Sequence, residues 1–273
     1  MARRGKSSLF IRLAKESGLL ESFSQDEKVG DFFDIAFSVL SKPGLRDEYI
    51  YKAAVTKNIL LGRHSLNTAS MLTEFRVGDC KADLVVLNGT STAYEIKSER
   101  DSLQRLDRQV NTYSKVFARV YVIAADYHLP AVMNSLSPEV GIMCLSGCRH
   151  FSEVRPATDC SYKTSPDAIF DSIRTEEARL VLTSCGFSIP SVPNTELSSA
   201  LRQMFQNLTP NDAHNGMVQV LKRTRNLSPL SSLIAQLPVS LRPVALAVNL
   251  RKLDHQRLIE AVNSPLQDAM SWT

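Results

Sequence analysis

Apolar residues recur at helical spacing through the first 61 residues of the chain. One such stretch covers residues 8–40 and is closed by Lys42, Pro43 and Gly44. A second covers residues 47–61, and Glu48 lies in its first turn. The pattern predicts an N-terminal helical segment over residues 1–44, followed by a further helix.

From residue 71 the pattern changes to the short alternating runs that are typical of β-strands. Strands are predicted over residues 71–77, 82–87, 93–97, 120–124 and 142–145. Between the third and the fourth lies a predicted helix, with Asp101 as its N-cap and Gln104 three residues further on. Its core face comprises Leu103, Leu106, Val110, Tyr113 and Phe117.

Beyond residue 156 the pattern is helical again. Helices are predicted over residues 167–185, 196–208, 215–225, 230–236 and 241–262, separated by prolines. We therefore expect three regions: the N-terminal segment 1–44, an α/β core over 45–160 and a C-terminal α-helical domain over 161–273. That C-terminal domain is a candidate for binding substrate, for homo-oligomerisation or for contact with a partner protein.

Two loops decide which side chains share a face of the sheet. A two-residue turn at Gly78-Asp79 would place Glu74 directly opposite Asp83. Between the second and third strands, a two-residue Asn-Gly loop would pair Asp83 with Tyr94, whereas a three-residue loop over 88–90 would pair it with Glu95. We predict the three-residue loop or a bulged equivalent.

This register would bring Glu74, Asp83 and Glu95 onto one surface, beside Lys97. Like charges at such spacing destabilise one another and raise their pKa values unless a cation is bound. Hard oxygen ligands suit Mg²⁺ or Mn²⁺, which can clamp a phosphate and activate a water molecule. Lys97 would then stabilise the negative charge of the transition state.

Three residues of the helix after the third strand extend this predicted site. Arg105, Gln109 and Tyr113 are spaced i, i+4 and i+8, so they line one side of a helix. Gln109 could hydrogen-bond the water or the substrate. In the alternative interpretation Tyr113 belongs to the core, and Arg105 and Gln109 form a solvated face.

Composition adds limits to this picture. The chain has 273 residues, of which 44% are hydrophobic and 22% charged, with a formal net charge of +4. A mildly basic balance permits nucleic-acid binding without requiring it. We find no uninterrupted apolar run of membrane-spanning length and no signal-peptide core, and the five cysteines are irregularly spaced. We therefore expect a cytoplasmic protein with reduced thiols and no membrane partner.

The ordered set Asp83, Glu95-Ile96-Lys97 and Gln109-x-x-x-Tyr113 resembles the PD-(D/E)XK nuclease superfamily, in its RecB-like branch with a QxxxY helix. The resemblance covers roughly residues 47–125. Within the superfamily, this part of the sequence resembles a small bacterial subgroup. It implies a restriction-endonuclease-like core with a mixed central sheet flanked by helices. It also implies Asp83 and Glu95 as ligands of Mg²⁺ or Mn²⁺, and Lys97 as the catalytic lysine.

The remaining positions are assigned as follows. Gln109 and Tyr113 support the catalytic site, and Ser98 and Arg105 are candidates for substrate binding. The superfamily often adds an acid from the helix before the first strand. Glu48 is the candidate for that acid here, with Glu74 on the strand as the alternative and as the candidate third metal ligand. Ala82 replaces the proline of the family motif.

Our leading hypothesis is a Mg²⁺-dependent nuclease that hydrolyses phosphodiester bonds in DNA, in a bacterial or phage setting. One alternative is a nuclease-fold module that binds nucleic acid or protein without cleavage. The intact Asp, Glu and Lys set argues against that alternative, because a decayed site would be expected to have lost one member. A nuclease acting on RNA is the other alternative, and the sequence does not separate it from a DNA enzyme.

Overall fold

The computed structural model describes residues 1–24, 26–146 and 150–272. The chain divides into two compact units, one formed by Met1–Arg46 and Pro229–Thr273 and the other by Asp47–Ser228. The strands are β1 Ser70–Val77, β2 Cys80–Leu87, β3 Ser91–Lys97, β4 Arg119–Ala124, β5 Gly141–Ser146 and β6 His150–Arg155. All six belong to the second unit, which is a mixed α/β structure.

The helices are short. Those of the first unit are α1 Ser8–Glu16, α2 Val29–Leu40, α10 Ser231–Gln236, α11 Arg242–Ala247, α12 Lys252–Asn263 and α13 Leu266–Ala269. Those of the second unit are α3 Glu48–Val55, α4 Leu106–Tyr113, α5 Leu129–Ser135, α6 Pro166–Ser172, α7 Thr175–Ser184, α8 Asn194–Phe205 and α9 Pro210–Thr224. A π-helical turn, Thr56–Leu60, continues α3.

The sheet of the second unit has the strand order β1-β2-β3-β4-β5-β6. The pairs β1–β2, β2–β3 and β5–β6 are antiparallel, and β3–β4 and β4–β5 are parallel. Parallel neighbours need a crossover, which α4 supplies between β3 and β4 and α5 between β4 and β5. The strand β3 lies inside the sheet and every residue of it is buried.

One face of the sheet is covered by helices whose apolar stripes complete the main core. Buried side chains of β1 to β5 pack in one cluster with Val110 and Tyr113 of α4, Phe170 of α6, Phe205 of α8 and Met217 of α9. The helices α6 to α9 therefore belong structurally to the sheet, because their apolar faces are buried against it.

A separate core holds the first unit together. Phe10, Val29, Phe32 and Leu266 are buried in one cluster, and the ring of Trp272 lies 5.9 Å from that of Phe10. The backbone of Lys28 also forms a β-bridge with Pro265. Residues from both ends of the chain thus form one core.

The unit boundaries lie elsewhere than the sequence pattern predicted. The predicted C-terminal domain 161–273 is divided at Ser228, and its second part shares a unit with the N-terminal segment. Helical periodicity shows that a helix has an apolar face, but it does not show which partner covers that face. The mixed sheet flanked by helices is confirmed.

The predicted lengths of the two hairpin loops are confirmed, but the predicted pairs Glu74–Asp83 and Asp83–Glu95 lie outside the regular ladders. Gly78 adopts a φ of 56° in a two-residue turn, and Val77 pairs with Cys80 across it. Between β2 and β3 the loop has three residues, because Leu87 pairs with Ser91. Within that loop Gly89 has a φ of 105°, a conformation that a side chain would strain.

Two predictions about elements near the site were wrong or incomplete. The crossover helix begins at Leu106, so Asp101 is not the N-cap of that helix. The carboxylate of Asp101 instead accepts a hydrogen bond from the backbone N–H of Ser98. A capping residue in a short turn satisfies the backbone just as it would at a helix end, so the residue type alone does not distinguish the two. The strand β6 was not predicted.

Within the part of the chain that the structure describes, no helix has the length and apolar character required to cross a membrane.

Candidate active site

The acidic residues lie where the alternation of two neighbouring strands is interrupted. The core-facing positions of β1 are Leu72 and then Phe75, and those of β2 are Ala82 and then Val85, so both strands change parity between these residues. Glu74 lies in the first interruption with a φ of 52°, the one positive φ of a non-glycine residue in the described chain. Asp83 lies opposite, in the second interruption. Strain of this kind is concentrated at functional sites.

Asp83 lies where β2 and β3 separate. The regular pairing of the two strands extends as far as Leu84 and Tyr94, and beyond it Oδ2 of Asp83 accepts a hydrogen bond from the backbone N–H of Ile96 at 2.7 Å. Burial raises the pKa of Asp83 to about 7, with a further contribution from the negative charge of Glu95. The carboxylate therefore lacks sufficient compensating positive charge from the protein.

Glu95 and Lys97 form a buried ion pair on the same face of β3. Oε1 of Glu95 lies 2.8 Å from Nζ of Lys97, and the two residues are only 2% and 6% exposed. Nζ also donates to Oε1 of Gln109 at 3.0 Å, and the Tyr113 hydroxyl donates to Oε2 of Glu95 at 2.9 Å. Burial raises the pKa of Glu95 even though Lys97 and Tyr113 oppose the shift.

Tyr113 also ties the helix α4 to the hairpin. Its hydroxyl lies 2.6 Å from the backbone oxygen of Lys81, and burial raises its pKa. The spacing of Gln109 and Tyr113 along α4 thus has the predicted result, since both side chains reach the Glu95–Lys97 pair.

A second group of acids approaches Asp83 from α3. Carboxylate oxygens of Glu48, Glu74 and Asp83 all lie within 4.8 Å of one another. Nζ of Lys52 lies 2.5 Å from Glu48 and 2.9 Å from Glu74, so this lysine bridges the two exposed acids. Glu48 is held in the first turn of α3, whose N-cap Asp47 accepts a hydrogen bond from the Ile50 N–H.

Asp83 is the link between these two groups. It shares a cluster with Glu48 and Glu74, and the charge of Glu95 acts on its pKa. Carboxylate oxygens alone, with no sulfur or imidazole among them, form a donor set that suits hard cations such as Mg²⁺ or Mn²⁺. The arrangement of Glu48, Glu74 and Asp83 can therefore hold a divalent cation, and Glu95 is not a member of that group.

The two predicted substrate-binding residues lie at either end of the segment between β3 and α4. Ser98 is 5% exposed, and its hydroxyl and backbone N–H both donate to Asp101. Arg105 immediately precedes α4 and is exposed. Its backbone oxygen accepts a hydrogen bond from the Gln109 N–H at 3.0 Å, so Arg105 lies one helical turn before Gln109, as the spacing predicted.

Sequence reasoning missed Lys52. A signal for it was present, because Glu48 and Lys52 have the i, i+4 spacing of a helical ion pair. Its contact with Glu74 required knowledge of how α3 packs against the sheet, which the pattern of apolar residues does not supply.

Comparison with known families gives one match over most of the chain. A family model described as "Bacteriophage P4 protein cII" matches residues 41–233 of the 273. The matched region contains all the residues of the candidate site.

One curated relative is "Protein cII" of Enterobacteria phage P4. It is 35% identical to this chain over 80 residues, which is 29% of this chain and 30% of the relative. The similarity thus spans less than one third of that protein's length. No solved structure matches the chain.

Proposed function

Starting from a chain that belongs to the bacteriophage P4 protein cII family, we propose a metal-dependent nuclease that hydrolyses phosphodiester bonds in DNA. The observation that carries this proposal is the buried Lys97, whose Nζ contacts both Glu95 and Gln109. Burying an ammonium group costs free energy, so a buried lysine is expected where it compensates a negative charge.

Asp83 and Glu95 are the proposed ligands of the cation, and Glu74 and Glu48 are proposed to add carboxylate oxygens at its outer side. The raised pKa values of Asp83 and Glu95 arise first from burial, which makes the charged carboxylates costly, and a divalent cation would offset that cost. When bound, Mg²⁺ or Mn²⁺ supplies Lewis acidity to the phosphate and lowers the pKa of a water molecule.

The protein's own residues position the reacting groups. Lys97 stabilises the negative charge that develops on the phosphate, and Gln109 orients Nζ of Lys97. Tyr113 fixes Oε2 of Glu95, which leaves the carboxylate in one orientation. In the hydrolysis the water oxygen bonds to phosphorus and the bridging P–O bond breaks, and the departing oxygen takes a proton. The products are a phosphate monoester and a hydroxyl group.

At the level of the fold, we propose that β1 to β4, with α3 and α4, form a restriction-endonuclease-like core of the PD-(D/E)XK type. The support is the connection strand, strand, strand, helix, strand with Asp83, Glu95 and Lys97 at the divergence of β2 and β3. A phage or bacterial setting is proposed from the family.

The test is incubation of purified wild type with supercoiled DNA, linear DNA and single-stranded RNA in Mg²⁺, Mn²⁺ or EDTA. Cleavage of DNA that requires the metal and is lost in Lys97→Ala, Asp83→Asn and Glu95→Gln is the expected result. Lys115→Ala is the matched control, because this exposed lysine follows α4 and should leave cleavage unchanged.

Cleavage by Lys97→Ala at the wild-type rate would overturn the proposed mechanism. Cleavage confined to RNA would overturn the assignment of DNA. If wild type cleaves none of the three substrates and also fails to bind Mn²⁺ in a titration, the nuclease proposal fails as a whole.

A further inference from the structure

Two cations lie side by side on the hairpin that carries the acids. Arg76 of β1 and Lys81 of β2 are direct partners in the antiparallel ladder, and both are exposed. Neither forms an ion pair within the described residues. Nε of Arg76 donates to the backbone oxygen of Gly78 at 3.3 Å, which holds its side chain along the hairpin.

Such a pair is unfavourable for folding alone. Like charges directly opposite one another on adjacent strands destabilise a hairpin. The acids nearby in sequence have other partners, because Asp79 is paired with Arg108 of α4 at 3.2 Å, Glu74 with Lys52 at 2.9 Å, and Asp83 accepts from the Ile96 N–H. The hairpin therefore presents two uncompensated positive charges, which is the arrangement expected of a surface that receives an anion.

The position of Arg76 and Lys81 relative to the acids indicates that this anion is a phosphate of a nucleic-acid strand. Arg76 is two residues from Glu74, and Lys81 is two residues from Asp83. Two residues of chain span at most about 7 Å between Cα atoms, a distance comparable to the spacing of successive phosphates along a nucleic-acid strand. The Tyr113 hydroxyl contacts both Glu95 and the backbone oxygen of Lys81, so the backbone of Lys81 lies close to the acidic site.

We propose that Arg76 and Lys81 form a subsite for the phosphate next to the scissile one on the DNA strand. This inference rests on the proposed nuclease function, because it places the scissile phosphate at Asp83 and Glu95. Contacts to a neighbouring phosphate set the register of the strand without reading its sequence. The subsite therefore selects a polymeric substrate over an isolated phosphodiester.

The test is binding of a fluorescein-labelled single-stranded DNA oligonucleotide, measured by anisotropy over a range of salt concentrations. The Lys97→Ala chain is used throughout, so that the oligonucleotide stays intact. Into it we introduce Arg76→Gln with Lys81→Gln. The matched control is Lys115→Gln with Arg223→Gln, which also removes one lysine and one arginine, both exposed and without ion pairs among the described residues.

Loss of two phosphate contacts should reduce the slope of log affinity against log salt by about 1.4, since each contact to a single strand contributes about 0.7. We expect at least a tenfold weaker affinity near 0.1 M salt, while the control keeps the slope of the parent chain. An unchanged slope in the Arg76 and Lys81 variant, or an equal change in the control, would overturn the proposal. A change found with RNA of the same sequence and absent with DNA would also overturn it.

This experiment distinguishes the subsite from the enzyme. A reduced slope in a chain whose wild type cuts no DNA would retain the phosphate subsite and remove the nuclease. An unchanged slope in a chain whose wild type cuts DNA would remove only the subsite.

Discussion

Two carboxylates of the sheet-containing unit, one buried and one half-buried, have opposite electrostatic surroundings. Glu177 of α7 is 3% exposed, and both of its oxygens accept hydrogen bonds from Arg225 at 2.8 Å. The Arg174 N–H and the Thr224 hydroxyl complete its contacts. Burial, the largest single influence, acts to raise its pKa, but these partners together hold the pKa below its ordinary value.

Asp83 has the same chemistry and a different outcome. Burial raises its pKa, the charge of Glu95 raises it further, and the Ile96 N–H and Lys52 oppose the shift only in part. The two carboxylates differ because Glu177 is in direct contact with a permanent cation, the guanidinium of Arg225. A carboxylate paired by the protein serves the fold, whereas one left with excess negative charge marks a place where a cation from solution can bind.

The largest effect is expected at the structural pair. Glu177→Gln should lower the free energy of unfolding by about 3 kcal/mol, because it leaves the charge of the partly buried Arg225 uncompensated. Urea denaturation at pH 7 measures this directly.

The matched control for that change is the neighbouring residue. Glu176 pairs with Arg179 on the surface and is 74% exposed, so Glu176→Gln should cost about 0.5 kcal/mol or less. Equal losses for the two variants would show that the buried pair has no special part in stability.

A gain in stability is expected at the candidate site. Because the folded chain holds the proton of Asp83 with a pKa of about 7, against an ordinary value of 3.8, the stability of wild type falls as pH rises from about 4 to about 7. Asp83→Asn removes this dependence and keeps an acceptor for the Ile96 N–H. At pH 8 the variant should be more stable by on the order of 2 kcal/mol.

Thermal or urea unfolding between pH 4 and pH 8 checks this, with Asp79→Asn as the control. Asp79 lies at the exposed turn of the same hairpin, so its variant should follow wild type across the range. An Asp83→Asn variant less stable than wild type at pH 8 would contradict the assignment of excess negative charge.

The registers around Asp83 could be predicted from sequence because local rules govern them. Gly78 and Gly89 supply the positive φ values of their loops, and alternation then places Glu95 with Lys97. The same rules failed at Asp101, where a residue suited to a helix N-cap closes a turn instead.

The division of the molecule could not be predicted in the same way. The helices α6 to α9 and α10 to α13 have similar periodicity, yet they belong to different units, and Leu266 of α13 is buried in the core of the first unit. The contact between Lys52 and Glu74 has the same origin, because it joins α3 to β1 across 22 residues of sequence. Non-local packing of this kind leaves no periodic signal in the chain.

The role of Lys52 sharpens the comparison, because it is a cation of the protein that already contacts two of the proposed metal-binding acids, Glu48 and Glu74. Lys52→Met should raise the affinity for Mn²⁺ about tenfold, equal to about 1.4 kcal/mol, since the ion no longer competes with Nζ for Glu48 and Glu74. Isothermal titration with Mn²⁺ measures this change in affinity.

Lys57→Met is the control, because that exposed lysine lies close by in the same helical segment. Unchanged or weaker binding in Lys52→Met would assign this lysine to holding the acids in place.

The smallest effect is expected from the backbone strain at Glu74. A residue with a side chain at a φ of 52° is held there by its surroundings at a cost of about 1 kcal/mol, and glycine adopts this conformation freely. Glu74→Gly should therefore leave the free energy of unfolding unchanged or raise it by up to about 1 kcal/mol, even though the ion pair with Lys52 is lost. Arg76→Gly, two residues along the same strand and also exposed, should lower it by about 1 kcal/mol, because glycine weakens a regular strand. Equal losses in the two variants would mean that Glu74 is unstrained, and that its placement beside Asp83 costs the fold nothing.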